Sequence, residues 1–212
     1  ALFFLKNHAQ TGIATVENGA IINVKNKGRV SELENIEAIN SLEGTIGIGH
    51  TRWATHGKPS STNSHPHMDN SNTFSVVHNG IIENYAEIRE FLKARGYTFF
   101  SETDTEVIPN LIHFYFKDSK ETGNKKFLKA VVDACNMLKG SFAIEVLSSC
   151  YPDNMLVVRK DSPLVIGTKD GENFVASDIP ALLEYTKDFY LLDDNEFAVI
   201  TKDSIEFYNN NN

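Results

Sequence analysis

The order of strand-like and helix-like segments constrains the fold of this chain more than any other feature. Two β-rich runs, at residues 12–16 and 20–24, flank Asn18-Gly19, a dipeptide that favours a tight hairpin turn. Most other strand-like runs come after a block of helices; they lie at residues 141–148, 154–159, 163–167, 173–177, 188–192, 196–201 and 204–208. Because strands and helices segregate, we expect an α+β fold of stacked antiparallel sheets with helices outside, rather than a nucleotide-binding parallel sheet.

The spacing of apolar residues predicts where the helices lie and where two polar motifs begin. Helices are expected at residues 31–39 with Ser31 as the cap, at 84–95, at 107–116, at 127–138 and, as a short piece, near 180–185. Asp104 or Thr105 is expected to cap the helix that starts at Val107. Residues 44–49 and 74–77 are predicted strands that deliver the motifs beginning at His50 and His78, so polar chemistry is expected at two strand ends.

Composition indicates a compact domain and argues against several classes of protein. The 212 residues are 41% hydrophobic and 23% charged, which suits one domain with a sizeable core. The net charge of −8 and the absence of a basic stripe argue against a nucleic-acid partner. We expect no membrane span and no signal peptide, since no apolar run approaches ~20 residues. Only two cysteines are present, Cys135 and Cys150, which favours a reducing, cytoplasmic location and structural or incidental roles for both.

Three polar segments are candidates for a shared binding site. Residues 50–57 combine a guanidinium, an indole, hydroxyls and imidazoles within eight positions, and His78-Asn79-Gly80 follows an apolar run. Residues 101–106 contribute hydroxyls and three carboxylates just before a predicted helix. If the three segments converge, their mixture of charges and donors predicts an enzyme site for a small molecule such as an amino acid.

Each of these segments also has a purely structural interpretation. Arg52 could form a structural ion pair, Asp104 could only cap a helix, Asn79-Gly80 could form a turn, and Trp53 could belong to the core. The histidines suggest a metal, but their spacing fits no familiar zinc pattern, so we expect no metal site; they are His50, His56, His65, His67 and His78. The residues alone leave these alternatives open.

Five sequence blocks resemble the glutaminase domain of the glucosamine-6-phosphate synthases, within the class II glutamine amidotransferases. The blocks are HTRWATHG at 50–57, HPH at 65–67, VHNGIIEN at 77–84, SETDTE at 101–106 and SPLVIG at 162–167. The resemblance runs from about residue 12 to 208, so we predict a glutaminase domain over residues 1–208 and a polar tail or linker at 209–212.

The resemblance implies a fold and a reaction. The fold would be a four-layer α-β-β-α sandwich of the N-terminal-nucleophile hydrolase type. The reaction would hydrolyse L-glutamine to glutamate and ammonia without a cofactor. The ammonia would pass to a sugar-phosphate isomerase domain of the same polypeptide, which makes glucosamine 6-phosphate from fructose 6-phosphate, and a homo-oligomer is permitted.

The same resemblance assigns roles to residues of this chain. Arg52 would bind the substrate α-carboxylate and Asp104 the α-ammonium. The side-chain amide of Asn79 and the backbone N–H of Gly80 would form the oxyanion hole. The substrate pocket would also include Trp53, as a gate for ammonia, and Thr55, His56 and Gly57.

The opening of the sequence departs from the family pattern. The family nucleophile is the thiol of the first mature residue, with its α-amino group as the base, whereas Ala1-Leu2-Phe3 replaces the family's Cys-Gly-Ile opening. We therefore expect that the opening strand with the nucleophile is missing from residues 1–208. The loop at residues 6–11 also differs from the family. Two further hypotheses stay open: a catalytically inactive glutamine-binding regulatory module, or a class II amidotransferase that serves another acceptor.

Overall fold

The computed structural model describes residues 10–52 and 58–209. The strands of this part of the chain are β1 (Thr11–Glu17), β2 (Ala20–Asn26), β3 (Gly47–Thr51), β4 (His67–Met68), β5 (Phe74–Ile82), β6 (Gly140–Ser148), β7 (Met155–Lys160), β8 (Val165–Lys169), β9 (Glu172–Ala176), β10 (Asp188–Leu191), β11 (Glu196–Ile200) and β12 (Ile205–Asn209). Its helices are α1 (Val30–Leu33), α2 (Glu37–Asn40), α3 (Tyr85–Lys93), α4 (Val107–Asp118) and α5 (Gly123–Met137), with a 3₁₀ turn at Ile179–Ala181.

The strands form one large and two small antiparallel sheets. The large sheet has the order β12-β11-β7-β6-β5-β4, and the small sheets have the orders β2-β1-β3 and β10-β8-β9. Helices α3, α4 and α5 cover one face of the large sheet, the small sheets cover the other, and α1 contacts β1 and β2. The predicted α+β sandwich with layers α-β-β-α is therefore confirmed, with a thin outer layer because α1 and α2 are four residues each.

The period-2 alternation of the strands divides the core between the two faces of the large sheet. Val76 and Ile144 belong to the cluster under the helices, which also contains the stacked rings of Phe74 and Phe127, 5.8 Å apart. On the opposite face, Val77 packs with β1 and β3, and several strand residues pack with β8; these are Ala143, Val157, Ala198 and Ile200. One face is thus a continuous apolar core, whereas the other is shared between two small sheets.

Two capping predictions are wrong. The helix expected at 31–39 is split into α1 and α2, and Arg29 rather than Ser31 precedes α1. The side-chain amide of Asn35 donates to the Ser31 carbonyl at 2.7 Å, so it takes the acceptor that the Asn35 backbone N–H would need in a continuous helix. Helix α4 follows Glu106 and has no side-chain cap, so neither Asp104 nor Thr105 caps it.

The predicted ends of two strands are also wrong. Strand β5 continues through Asn79 and Gly80 to Ile82, because β6 pairs with it over its whole length. Asn79-Gly80 is therefore part of a ladder and not a turn. Strand β3 likewise includes His50, and β4 had no counterpart among the predicted strands. The β1–β2 hairpin and the late strands agree with expectation, although the 180–185 helix is only a 3₁₀ turn.

Other boundaries differ by a few residues. Helix α5 begins at Gly123, earlier than expected, and β12 runs to Asn209, which pairs with Glu196. The rest of the predicted tail, residues 210–212, lies outside the described residues. In the described part of the chain, no helix combines the length and apolar character needed to cross a membrane.

Candidate active site at the end of strand β5

Arg52 directly follows β3 and is buried. Its Nη1 donates to Gln10 Oε1 at 2.5 Å, and its backbone N–H donates to the Gln10 carbonyl at 2.9 Å. Burial lowers the pKa of the guanidinium, and the nearby Asp104 carboxylate opposes that shift. A guanidinium has so high an intrinsic pKa that Arg52 stays cationic. The site therefore holds a buried positive charge at the end of β3.

Asn79 lies on β5 and is connected to β3 through His50. The two side chains meet at 2.8 Å between His50 Nε2 and Asn79 Oδ1. Because a carboxamide oxygen only accepts, His50 Nε2 is the donor in this contact. The two N–H groups of Asn79 Nδ2 then remain the donors that could stabilise an oxyanion.

The backbone N–H of Gly80 points away from β6. Successive N–H and C=O groups of a strand alternate in direction, and those of even-numbered residues of β5 point toward β4 and the open end. Two contacts establish this direction: the Phe74 carbonyl accepts from Asp69 N–H at 3.2 Å, and Ile82 N–H donates to Asp104 Oδ2 at 2.9 Å. The Gly80 N–H therefore points to the same side as Asp104.

Glycine is required at position 80 by its backbone and its surroundings. Gly80 has a φ of +126°, and a Cβ placed there would lie 2.1 Å from the Ser141 carbonyl oxygen. Both observations disfavour any side chain.

Asp104 lies in the segment between α3 and α4 and is buried. Its carboxylate accepts from Ile82 N–H and lies close enough to Arg52 and His78 to influence the pKa of each. The structure therefore brings Arg52, Asn79, Gly80 and Asp104 together around the end of β5. The other predicted pocket residues lie outside the described residues; they are Trp53, Thr55, His56 and Gly57.

Histidines form a layer beneath this site. The His50 and His65 rings stack with centroids 4.3 Å apart, and His65 meets His67 edge-on at 5.0 Å. His67 and His78 contact the hydroxyls of Thr103 and Thr105 at 3.1 and 3.0 Å. Burial is the main cause that lowers the pKa of His65 and His67 well below the usual value; repulsion by neighbouring groups, His50 foremost for His65 and Lys25 foremost for His67, lowers it further. The His65 and His67 imidazoles are therefore neutral. Among the described residues, no group of three or more His, Cys, Asp or Glu is arranged to hold a metal.

A cleft of about 520 Å³ leads from Asn79 into the molecule. Its walls are the edge strands β3 and β9, and its floor includes Val77, Ala143 and Glu145. Glu145 is half-buried in this floor, and burial raises the pKa of its carboxyl to about 8.

The sequence does not identify Gln10 or Glu145 as members of this site, and it marks His50 only as part of the 50–57 segment, without a role of its own. Their positions depend on pairing between distant strands, as in the opposition of Gly12 and His50. The alternation of β6 puts Glu145 among apolar residues, and a charged residue within an apolar strand is the one local signal that could have identified it.

Comparison with protein families identifies one matching model. The model is described as "Glutamine amidotransferase domain", and it matches residues 50–184. That segment includes Arg52, Asn79, Gly80 and Asp104.

Relatives resemble nearly the whole chain. It is 50% identical to the glutamine–fructose-6-phosphate aminotransferase (isomerizing) of Clostridium acetobutylicum over 97% of this chain and 33% of that protein. It is also 50% identical to the enzyme of that name from Clostridium perfringens, over 96% of this chain and 32% of that protein. The chain thus spans about a third of the length of these relatives.

Solved structures share the fold at lower identity. The glutamine phosphoribosylpyrophosphate amidotransferase of B. subtilis superposes with a TM-score of 0.78 and 24% identity, over 96% of this chain and 43% of that one. A glutamine aminotransferase class-II domain protein from Silicibacter pomeroyi gives 0.61 and 13% identity, over 94% and 90%. These likenesses support the sandwich of the N-terminal-nucleophile hydrolase type.

Proposed function

Since the chain belongs to the glutamine amidotransferase domain family, we propose that it hydrolyses the side-chain amide of L-glutamine to glutamate and ammonia. The convergence of a buried cation, a buried carboxylate and two kinds of N–H donor at the end of β5 is the observation that carries this proposal. A free amino acid offers one negative and one positive group, which match Arg52 and Asp104 in charge. The amide carbonyl of the substrate would then lie near Asn79 and Gly80.

The proposed oxyanion hole consists of Asn79 Nδ2 and the Gly80 N–H. When the amide carbon becomes tetrahedral, its oxygen takes a negative charge that donors already in position can stabilise. The His50 contact orients the Asn79 carboxamide, and the ladder with β6 orients the Gly80 N–H. Both donors are therefore held before substrate binds.

The nucleophile is proposed to be a cysteine thiol at the mature N-terminus, on a strand that lies in the cleft. In the described part of the chain, β3 and β9 each pair on one side only, and both border the cleft. A strand placed between them would satisfy both open edges, and its end near Asn79 would bring the thiol to the oxyanion hole. The α-amino group would accept the thiol proton, since the usual pKa values of the two groups lie within about one unit.

A substrate-by-variant cycle tests the charge assignments. With the full-length protein, Arg52→Ala is expected to lower kcat/KM for L-glutamine by about 10²-fold, the scale of a lost charge-assisted hydrogen-bond pair. With glutaminamide, which has no α-carboxylate, the same change should have little effect. Asp104→Asn should likewise lower kcat/KM for L-glutamine but have little effect with N-acetylglutamine, which has no α-ammonium group. The amide oxygen of the new side chain can still accept from Ile82 N–H. Equal losses with both members of a substrate pair would contradict the assignment.

A second experiment tests the nucleophile. Mass spectrometry of the native protein should find a Cys-Gly-Ile opening, and replacing that cysteine by alanine should abolish ammonia release. Cys150→Ser is the matched control, because Cys150 is exposed yet belongs to no part of the site. Cys135 is unsuited to the role, since burial raises the pKa of its thiol to about 12. A native chain without the cysteine would favour the inactive glutamine-binding module.

The acceptor of the ammonia is proposed to be fructose 6-phosphate, bound by a sugar-phosphate isomerase domain of the same polypeptide. The name of the relatives that are 50% identical supports this acceptor over others. Formation of glucosamine 6-phosphate by the full-length protein tests it, and ammonia release without that product would favour another acceptor. The cytoplasmic location and a homo-oligomer stay predictions.

A further inference from the structure

The end of β12 and the candidate active site lie at the same end of the large sheet. Asn79 pairs with Ala143, and Ala143 pairs with Arg159. The Arg159 carbonyl accepts from Asn195 N–H at 2.8 Å, and the next residue, Glu196, pairs with Asn209. At ~4.8 Å per strand, the four steps from β5 to β12 amount to ~19 Å. A polypeptide that continues from β12 therefore leaves the sheet on the side of the site.

An exposed apolar patch lies beside this exit. It is formed by Tyr190 and Leu191 of β10 and Phe207 of β12, which are 47%, 68% and 40% exposed. The Tyr190 and Phe207 rings are 5.4 Å apart, so the patch bridges the edges of two sheets. We call these three residues the exit patch. Solvent-exposed aromatic and leucine side chains that cluster in this way are typical of interaction surfaces.

Side-chain contacts hold the connection beside the exit patch, and acidic residues adjoin the patch along the chain. Arg159 donates to the Leu192 carbonyl at 2.9 Å and pairs with Asp194 at 2.6 Å, which holds the β10–β11 connection. Exposed carboxylates lie next to the patch along the chain; they belong to Asp193, two residues after Leu191, and Glu206, directly before Phe207. A surface that is apolar at its centre and acidic at its rim fits a partner with an apolar centre and basic rim.

We propose that the exit patch is the docking surface for the domain that follows β12 in the full-length protein. This rests on the proposed function, in which that domain is the ammonia acceptor. The relatives contain about twice as much chain outside the matched part as within it. A domain tethered at Asn209 would begin two residues after Phe207 of the exit patch, and from there it could extend over the end of the sheet toward Asn79. Docking at this surface would hold the acceptor on the side where ammonia is released.

Thiol labelling of the full-length protein tests the docking. In a Cys150→Ser background, Leu191→Cys and Leu183→Cys are compared, because Leu183 is 52% exposed but lies near the opposite end of β10. Labelling by a maleimide is followed by peptide mass spectrometry. Position 191 should react at least about tenfold more slowly than position 183, as expected for a surface that becomes accessible only when the docked domains separate. In urea the two rates should be equal.

Three outcomes would overturn the proposal. Equal native labelling at positions 191 and 183 would mean that the exit patch is open to solvent. Protection that disappears on dilution would mean that a second copy of the chain covers it. Leu191→Glu should reduce amino sugar formed per glutamine hydrolysed while leaving hydrolysis unchanged, and no difference from Leu183→Glu would contradict docking. The labelling needs no activity, so absence of glutamine hydrolysis in the unmodified protein would reject the proposed function separately.

Discussion

The two faces of the large sheet differ in how completely they are covered. Against one face, α3, α4 and α5 form an uninterrupted apolar cluster, and the largest side chains there are fully buried. Against the other face, two small sheets leave a cleft that contains Glu145 and ends at Asn79. The same strands, β5 and β6, supply both faces.

This difference indicates that alternate side chains of a single strand have different roles. Those on the helix-covered face stabilise the fold, and those on the other face form the active-site cleft. Neighbouring residues of β6, such as Ala143 and Ile144, belong to different faces. Substitutions one position apart should therefore have different consequences. The effects on unfolding free energy and on turnover can be measured independently, and together they test whether the two faces have separate roles.

The largest effect on stability is expected for Ile144→Ala. Ile144 is fully buried under the helices, and removing such a side chain costs about 2–5 kcal/mol of unfolding free energy. Urea denaturation measures the loss, and kcat/KM per folded molecule should be unchanged. Ile22→Ala is the control, since Ile22 is 37% exposed and its loss should cost far less. A large change of kcat in Ile144→Ala would show that the helix-covered face also contributes to catalysis.

Asn79→Ala should produce the opposite pattern. Loss of one oxyanion donor typically lowers kcat by about 10²–10³. Because Asn79 is exposed, the unfolding free energy should change little. Steady-state ammonia release and urea denaturation of the same preparation measure both quantities. Unchanged kcat would show that Asn79 is not an oxyanion donor.

Glu145→Gln should change the pH dependence of the unfolding free energy. The folded state raises the pKa of Glu145 from 4.5 to about 8, so the folded protein keeps a proton that the unfolded chain loses. Stability should fall as pH rises through that window, by at most about 1.4 kcal/mol per pH unit. The variant should lack this fall, whereas Glu87→Gln, at an exposed position of α3, should retain it. Parallel curves for the wild type and Glu145→Gln, from urea denaturation at several pH values, would contradict the burial of this carboxyl.

The smallest effect is expected for His50, a positioning residue. Loss of its contact with Asn79 Oδ1 should cost about 0.5–1.5 kcal/mol, or about 2–10-fold, and should appear in kcat rather than KM. His50→Gln retains an N–H donor and should recover part of the rate that His50→Ala loses. An equal loss in both variants, or a loss confined to KM, would argue against positioning.

Local signals in the sequence predicted much of the fold. The Asn18-Gly19 hairpin and the late strands follow from period-2 patterns and turn residues, and these elements agree with the structure. The wrong predictions arose where distant contacts prevailed. Nine residues of β6 extend β5 through Asn79-Gly80, and the Asn35 amide interrupts a helix that apolar spacing favoured.

Part of the site could also be predicted. The motif sequences singled out Arg52, Asn79, Gly80 and Asp104, and the structure brings these residues together. The motifs could not give the direction of the Gly80 N–H or the contact between His50 and Asn79, because both depend on strand register. The raised pKa of Glu145 likewise depends on what surrounds it in the cleft.

Trapping the covalent intermediate of glutamine hydrolysis tests whether an N-terminal cysteine is the nucleophile. The full-length protein is quenched in acid during turnover on L-glutamine, digested and analysed by mass spectrometry. We expect a glutamyl thioester on the N-terminal cysteine and none on Cys150. Ammonia release without that adduct, or an adduct on another residue, would contradict it.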